Sequence, residues 1–547
     1  MSHLSRITNN ENTIKMKKIQ YIIMLVVATL MSCSDDFFDI APTTTLSDAS
    51  FWKNESDALA ALSACYEYYA GFNAGYDCIT DDAFDITNYM PYDDIGLGLV
   101  APAYPQIDLF SNYYKIRDCN NFIDRVAAVD MDEDLKEKYI AEVKFIRAYD
   151  YFWKLMYHGG VPIIDKLVTP DEASIERDSE EDVVLWLLDE LEDIAAVLPE
   201  KNLIESNGHF TKGSALGLKA RIELYFGMYT EAMQDAQSVM SMSCYELYNS
   251  DGSYTPVEGY KRLFSAEAES ENKEALFSAA YLDETYTAGY WQTILPSEFD
   301  SYGVLNPTQD LVNAFEYDDG TVFDPLNPRD PASPFANRDP RLYASILIPG
   351  DVIADVTFNP FDIANRTYYK NNAIFGYLME KYTPSAETAA EVDKFKSDID
   401  VMQMRLAEIY LIYAEAAIES NQINQSVYDA INFIRNRAGM PDVDQLTYGD
   451  QASLRDLVRR ERRVELCLEG LRYFDIKRWD IGETAMKGAL KVTVPSFTYS
   501  GSVPVFDYSI STEETVFTRT FVPPGYLFPI PQSAIDKNDL LEQNTGY

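Results

Sequence analysis

The sequence predicts a mainly α-helical protein in which helix pairs form a scaffold and long, loop-rich insertions interrupt it. Three observations carry the prediction. Apolar residues recur at helical spacing in four regions, and two of these regions continue as a helix, a short turn and another helix. Two other stretches, rich in tyrosine, aspartate or proline, show no period. A 3.6-residue repeat gives a helix one face to bury, whereas a stretch without period has none.

In chain order, the first aperiodic stretch runs from residue 71 to 105 and carries Tyr76, Tyr89, Tyr92 and Tyr104 among aspartates. Phe145, Ala148, Tyr149, Phe152, Leu155 and Met156 then make one helical stripe. Leu218, Ile222, Tyr225 and Tyr229 follow the same spacing, with a break near Gly227 and a second helix resuming at Ala232 and Ala236. The second aperiodic stretch covers 281–365. Nine of the 25 prolines fall between Pro296 and Pro360, a density expected to exclude regular helix. Leu406, Ile409, Tyr410, Tyr413, Ala414 and Ala417 restore the stripe, which breaks near Asn421 and resumes at Ala430. Leu454, Leu457, Val464 and Leu468 mark a last helix ending near Gly470. The two helix–turn–helix units resemble tetratricopeptide repeats, in which small residues let neighbouring helices approach closely. They are not in tandem, so insertions within a helical scaffold are expected rather than a pure solenoid. Loops this long inside a globular chain commonly carry function.

The N-terminus reads as an export signal. From Met16, the expected true start, Lys17 and Lys18 precede an apolar run from Ile19 to Met31 that is too short to span a bilayer. Leu30-Met31-Ser32-Cys33 resembles a bacterial lipobox, so residues 1–32 are expected to be removed and Cys33 to carry lipid. Asp35 and Asp36 follow at once and resemble the surface-export signal of Bacteroidota-type lipoproteins.

Composition excludes several functions. The 88 acids against 45 bases give a charge of −43, which opposes contact with nucleic acid. Three histidines and six scattered cysteines offer no zinc pattern, and the five cysteines beyond Cys33 exclude a complete disulfide framework, though one bridge stays open. The EYDDG segment at Asp318 and Asp319 lacks the spacing of a calcium loop. Neither a GxSxG elbow nor an HExxH helix is present. The arginine-rich block from Arg459 to Trp479 is read as structural, with Arg462–Glu465 and Glu469–Arg472 expected to pair three residues apart on one helix. Among the aromatics are 39 tyrosines and 5 tryptophans, a bias suited to ligands that are half apolar and half polar.

Six blocks in order are similar to the SusD/RagB family of outer-membrane nutrient-binding lipoproteins. They are FWKNESDALAALSACYEYY, AEVKFIRAYDYFWKLMYHGGVPIID, GHFTKGSALGLKARIELYFGMYTEA, RLAEIYLIYAEA with AINFIRNRAG, RRERRVELCLEGLRYFDIKRW and LFPIPQSAIDKNDLLEQNTGY, together spanning residues 51–547. The resemblance implies one large SusD-like domain over 33–547. It also implies a tetratricopeptide-like scaffold and capture of glycan at the cell surface without catalysis or cofactor. The implied partner is a SusC-like TonB-dependent outer-membrane transporter. A surface-anchored glycoside hydrolase and capture of peptides or other oligomers are the alternatives.

A sugar ring presents a flat C–H face and a rim of hydroxyls, so its site needs exposed aromatic planes beside amides and carboxylates. Two segments offer that chemistry. One holds Tyr290, Trp291, Gln292 and Tyr302, and the other Asp81, Asp82, Asn88, Tyr89 and Tyr92. They are expected to converge on the glycan, with Trp291 as the main stacking platform. No metal ligand is expected among them.

Overall fold

The structure is a computed structural model that describes residues 51–69, 71–85, 92–104, 107–201, 208–282, 284–361, 373–386, 388–521 and 526–547. Cys33 and the export signal lie outside these residues. Two units divide the chain. In the smaller (1–58 and 128–131), Asn54 bridges Asp130; the larger comprises 59–127 and 132–547.

Mainly helical architecture is what the structure shows. After α1 (Glu55–Tyr66) come α2 (Tyr114–Val126), α3 (Glu133–His158), α4 (Glu180–Val197), α5 (Lys212–Tyr225) and α6 (Tyr229–Met240). From α2 onward each packs on the next. The ends are set locally. The Asp132 side chain accepts the Leu135 N–H and starts α3, and Gly159, at φ 73°, ends it. Thr211 and Ser214 form a reciprocal capping box on α5. Gly227, at φ 74°, turns the chain into α6, where Ala232 and Ala236 are fully buried. Gly217 on α5 allows a close approach, because a Cβ there would lie 2.7 Å from Leu276.

The helical array then leaps along the chain. α7 (Pro256–Leu263) and α8 (Pro340–Ser345) belong to the insertion, and α6 packs on α9 (Leu406–Glu419). α9 in turn packs on α10 (Gln425–Arg437) and α11 (Gln451–Glu465), and α12 (Arg472–Arg478) follows. The two helix pairs separated in sequence are therefore neighbours in space, and the insertion loops out between them. Its strands pair across long distances. β1 (Ala83–Asp85) is antiparallel to β3 (Leu305–Pro307), and β2 (Ala275–Ala279) to β4 (Val401–Arg405). β5 (Gly488–Ser500) and β6 (Val503–Arg519) form a long hairpin.

Two expectations are corrected. Proline does not exclude helix from the second aperiodic stretch. Pro340 occupies the first turn of α8, where its missing N–H costs nothing, and Asp339 caps that turn. The arginine block is structural, but its pairs are distant ones. α11 ends at Glu465, and Leu468 (φ 60°) and Gly470 (φ 82°) turn the chain, so Glu469 and Arg472 share no helix. Arg462 instead bonds Asp475 at 2.9 Å and Glu408 at 3.2 Å. Glu465 receives Arg405 at 2.6 Å, Arg341 at 3.0 Å and Arg437. Arg405 also reaches Glu274 and Glu469, at 2.9 Å each. Burial alone would raise the Glu465 carboxyl, but Arg437, Arg405 and Arg341 outweigh it and hold the group well below the usual range.

Candidate functional site

The two segments that sequence reasoning paired do meet. β1 and β3 join them, the Thr308 amide donates to the Asp82 carbonyl at 2.9 Å, and Phe72 stacks on Tyr290 with centroids 4.4 Å apart. The contact is made of buried groups, which corrects the expected chemistry of most named residues. Trp291 is 7% exposed and its indole N–H donates to the Tyr382 carbonyl at 2.8 Å, so neither ring face is an open platform. Tyr290 is also buried, its hydroxyl donating to the Ile399 carbonyl at 3.3 Å. Asp81 and Asp82 are also buried. Arg472 grips Asp81 through two bonds of 2.8 and 2.9 Å, and Arg463 bonds Asp82 at 2.7 Å. Unsolvated carboxylates need such cations, so these two belong to the arginine lattice. Tyr92 is buried against Tyr76. Asn88 and Tyr89 lie outside the described residues. Gln292 is half-buried, with its carbonyl accepting the Tyr302 amide at 2.8 Å. Tyr302 alone among the described aromatic candidates is open, at 44% exposure, with the Lys394 ammonium 5.7 Å from its ring centre.

A second open aromatic begins the same loop. Tyr286, 46% exposed, stacks on Tyr281 with centroids 5.7 Å apart and planes 13° from parallel. It overhangs a cavity of about 250 Å³ lined also by Ser63, Tyr66, Tyr69 and Ser278. The Tyr66 hydroxyl donates to Glu142 at 2.7 Å, whereas the buried Tyr69 hydroxyl has no partner among the described residues. The exposed polar side chains at the cavity are those of Ser63 and Glu67. The loop is pinned from behind. Ala288 and Ser397 exchange two backbone bonds of 2.8 Å, the Tyr281 amide donates to Asp400 at 2.7 Å, and the Asp400 amide donates to Glu269 at 2.7 Å. Burial and the neighbouring Asp398 push Asp400 up to about 6. Burial followed by Asp400 and Asp398 pushes Glu269 up to about 7. Tyr281 is pushed up to about 12 by burial and by Tyr286.

This surface can stack an apolar ring face on Tyr286 and exchange hydrogen bonds at the cavity wall. Among the described residues no cluster of His, Cys, Asp and Glu could hold a metal ion. Tyr66, Tyr69 and Tyr281 were not legible as site residues. The first two end a helical block and read as packing; the dense ACYEYYAGF run, with tyrosines on two helix faces just before a glycine, is the signal that marks them.

Comparison with known proteins follows this geometry. The SusD family profile matches residues 273–547, and a profile described as starch-binding associating with outer membrane matches 44–224. SusD-like protein P38 of Formosa agariphila is 24% identical over 487 residues, covering 84% of this chain and 90% of the relative. A SusD-like protein from Bacteroides fragilis superposes with a TM-score of 0.79 at 27% identity, over 93% of this chain and all of that one. A SusD-like carbohydrate binding protein from the same species superposes at 0.78 with 28% identity, over 90% of this chain and all of that one.

Proposed function

This chain belongs to the SusD family, and from that premise we propose that it binds glycan on the tyrosine surface of the 281–302 loop. One observation carries the reading: Tyr286, braced by Tyr281, lines a cavity together with the polar side chains of Ser63, Glu67 and Ser278. That is the pairing of flat apolar face and hydrogen-bonding rim that a saccharide requires. The protein captures oligo- or polysaccharide without cleaving it and passes it to a SusC-like TonB-dependent transporter. It sits on the outer face of the outer membrane, anchored by lipid on Cys33. The profile described as associating with outer membrane supports the location. No helix among the described residues is long and apolar enough to cross a membrane. A separate transporter is therefore part of the reading.

Calorimetric titration of Tyr286→Ala tests it. Losing the stacking face is expected to cost about 2 kcal/mol, or roughly thirtyfold in affinity, with an unchanged melting temperature. Unchanged affinity in the folded variant would remove the site. Release of new reducing ends from a polysaccharide panel would instead make the protein a hydrolase.

A further inference from the structure

A cleft of about 440 Å³ lies elsewhere on the larger unit, between the β5–β6 hairpin and the proline-rich segment 323–338, and shares no lining residue with the Tyr286 cavity. Its size is that of a small-ligand site. One wall is assembled in advance. The Arg338 guanidinium donates to the carbonyls of Val312 (2.7 Å), Phe315 (2.8 Å) and Pro334 (3.0 Å) and lies 3.5 Å from the centre of the Phe323 ring. The Arg329 amide donates to the Tyr317 hydroxyl at 2.9 Å, tying down the middle of the segment. A wall held this way loses little conformational freedom when a ligand arrives.

The lining combines two chemistries. Phe335 and Tyr508 meet edge to face with centroids 5.2 Å apart and present aromatic surface. Asp310, Asn313 and Ser511 supply a carboxylate, an amide and a hydroxyl. The Tyr508 hydroxyl is buried and has no partner among the described residues. The cations of the described lining are engaged already: Lys491 pairs with Glu513 at 2.5 Å, and Arg338 is turned onto carbonyls. An anionic ligand would find no open counter-charge there, whereas a neutral, hydroxyl-rich one finds partners and a flat face.

We propose that this cleft is a second saccharide site, selective for neutral sugar units and separate from the Tyr286 surface. The proposal rests on the glycan-binding reading. Its consequence is two-point attachment: a polysaccharide long enough to reach both sites binds far more tightly than its own short fragments, because the second contact is intramolecular.

The test titrates malto-, laminari-, xylo- and mannohexaose into the full chain, into Tyr286→Ala, and into Tyr508→Phe and Asp310→Ala made in the Tyr286→Ala background. The expected result is two binding events in the wild type and one in Tyr286→Ala. That remaining event should weaken at least tenfold on either further substitution. Tyr508→Phe should keep or raise the melting temperature of the free protein, since it removes an unpartnered hydroxyl, so that weakened binding in this variant is not a loss of folding. One event in the wild type, lost in Tyr286→Ala, would overturn the second site and leave the first standing. Binding of none of the four hexasaccharides would overturn both. A remaining event insensitive to both Tyr508→Phe and Asp310→Ala would place the second site elsewhere and overturn this assignment.

Discussion

Buried carboxylates behave in opposite ways in two regions of this molecule. In the scaffold, Glu465, Glu461 and Glu469 are desolvated, yet arginine or lysine neighbours hold their carboxyls below the usual range. Behind the tyrosine surface, Asp400 and Glu269 are less deeply buried, and theirs rise to about 6 and 7. Burial pushes in the same direction in both places. The deciding difference is the neighbour: guanidinium groups in the lattice, further carboxylates beside the loop. Those three glutamates are therefore committed to charge at neutral pH, while the loop sits within reach of its titration.

The largest test of that contrast removes a lattice member. Glu465→Ala leaves Arg341, Arg405 and Arg437 facing one another without their shared anion. The expected cost is about 3–5 kcal/mol, read by denaturant titration. A loss below about 1 kcal/mol would show that the lattice contributes little to stability.

Next comes Trp291→Ala. A buried indole that donates to a carbonyl should cost about 3 kcal/mol of stability when truncated, with a fall in melting temperature. Tyr286→Ala should leave the melting curve in place and change affinity alone. Matching stability losses in the two variants would erase the distinction between the support and the surface it carries.

The smallest effect is pH dependence. Asp400 and Glu269 bind a proton more tightly folded than unfolded, so their contribution is fully present below about 4, the unfolded value. It is lost as pH rises through about 6 to 7. Glu465 runs the other way, contributing above the unfolded value and losing that contribution only in strong acid. Between pH 5 and 8 the loop should therefore loosen while the Glu465 contribution does not change. Hydrogen exchange at the Tyr281 and Tyr286 amides, corrected for intrinsic rates, should show protection falling with pH in the wild type and falling less in Asp400→Asn. Equal slopes would dismiss Asp400 as the titrating group.

The helices were legible because their stripes are local: Leu218 to Tyr225 and Leu406 to Ala417 announce their buried faces within two to three turns. Tyr229, which continued the first stripe in sequence, begins the next helix after Gly227. What sequence reasoning could not supply was every relation set by distance along the chain. Arg462 and Glu465 looked like helical neighbours, and their partners come from other elements. Trp291 stood among glycine, serine and proline and looked exposed, yet Tyr382, 91 residues on, accepts its N–H. Asp81 and Asp82 had the composition of a sugar rim, and Arg472 and Arg463, nearly 400 residues away, enclose them. Tyr286 lies four residues before Tyr290, where the aromatic segment named from sequence begins, and only the fold shows that it lines a cavity with Tyr69.

The seating of α6 against α9 sets a timetable for synthesis. Besides α5, the helix α6 packs as extensively on a helix that begins at Leu406, after the whole insertion. At about 5–20 residues per second, a ribosome needs roughly ten to thirty seconds to deliver it. Throughout that interval the first half of the scaffold carries an open flank, and it closes only when the second half arrives to complete the array.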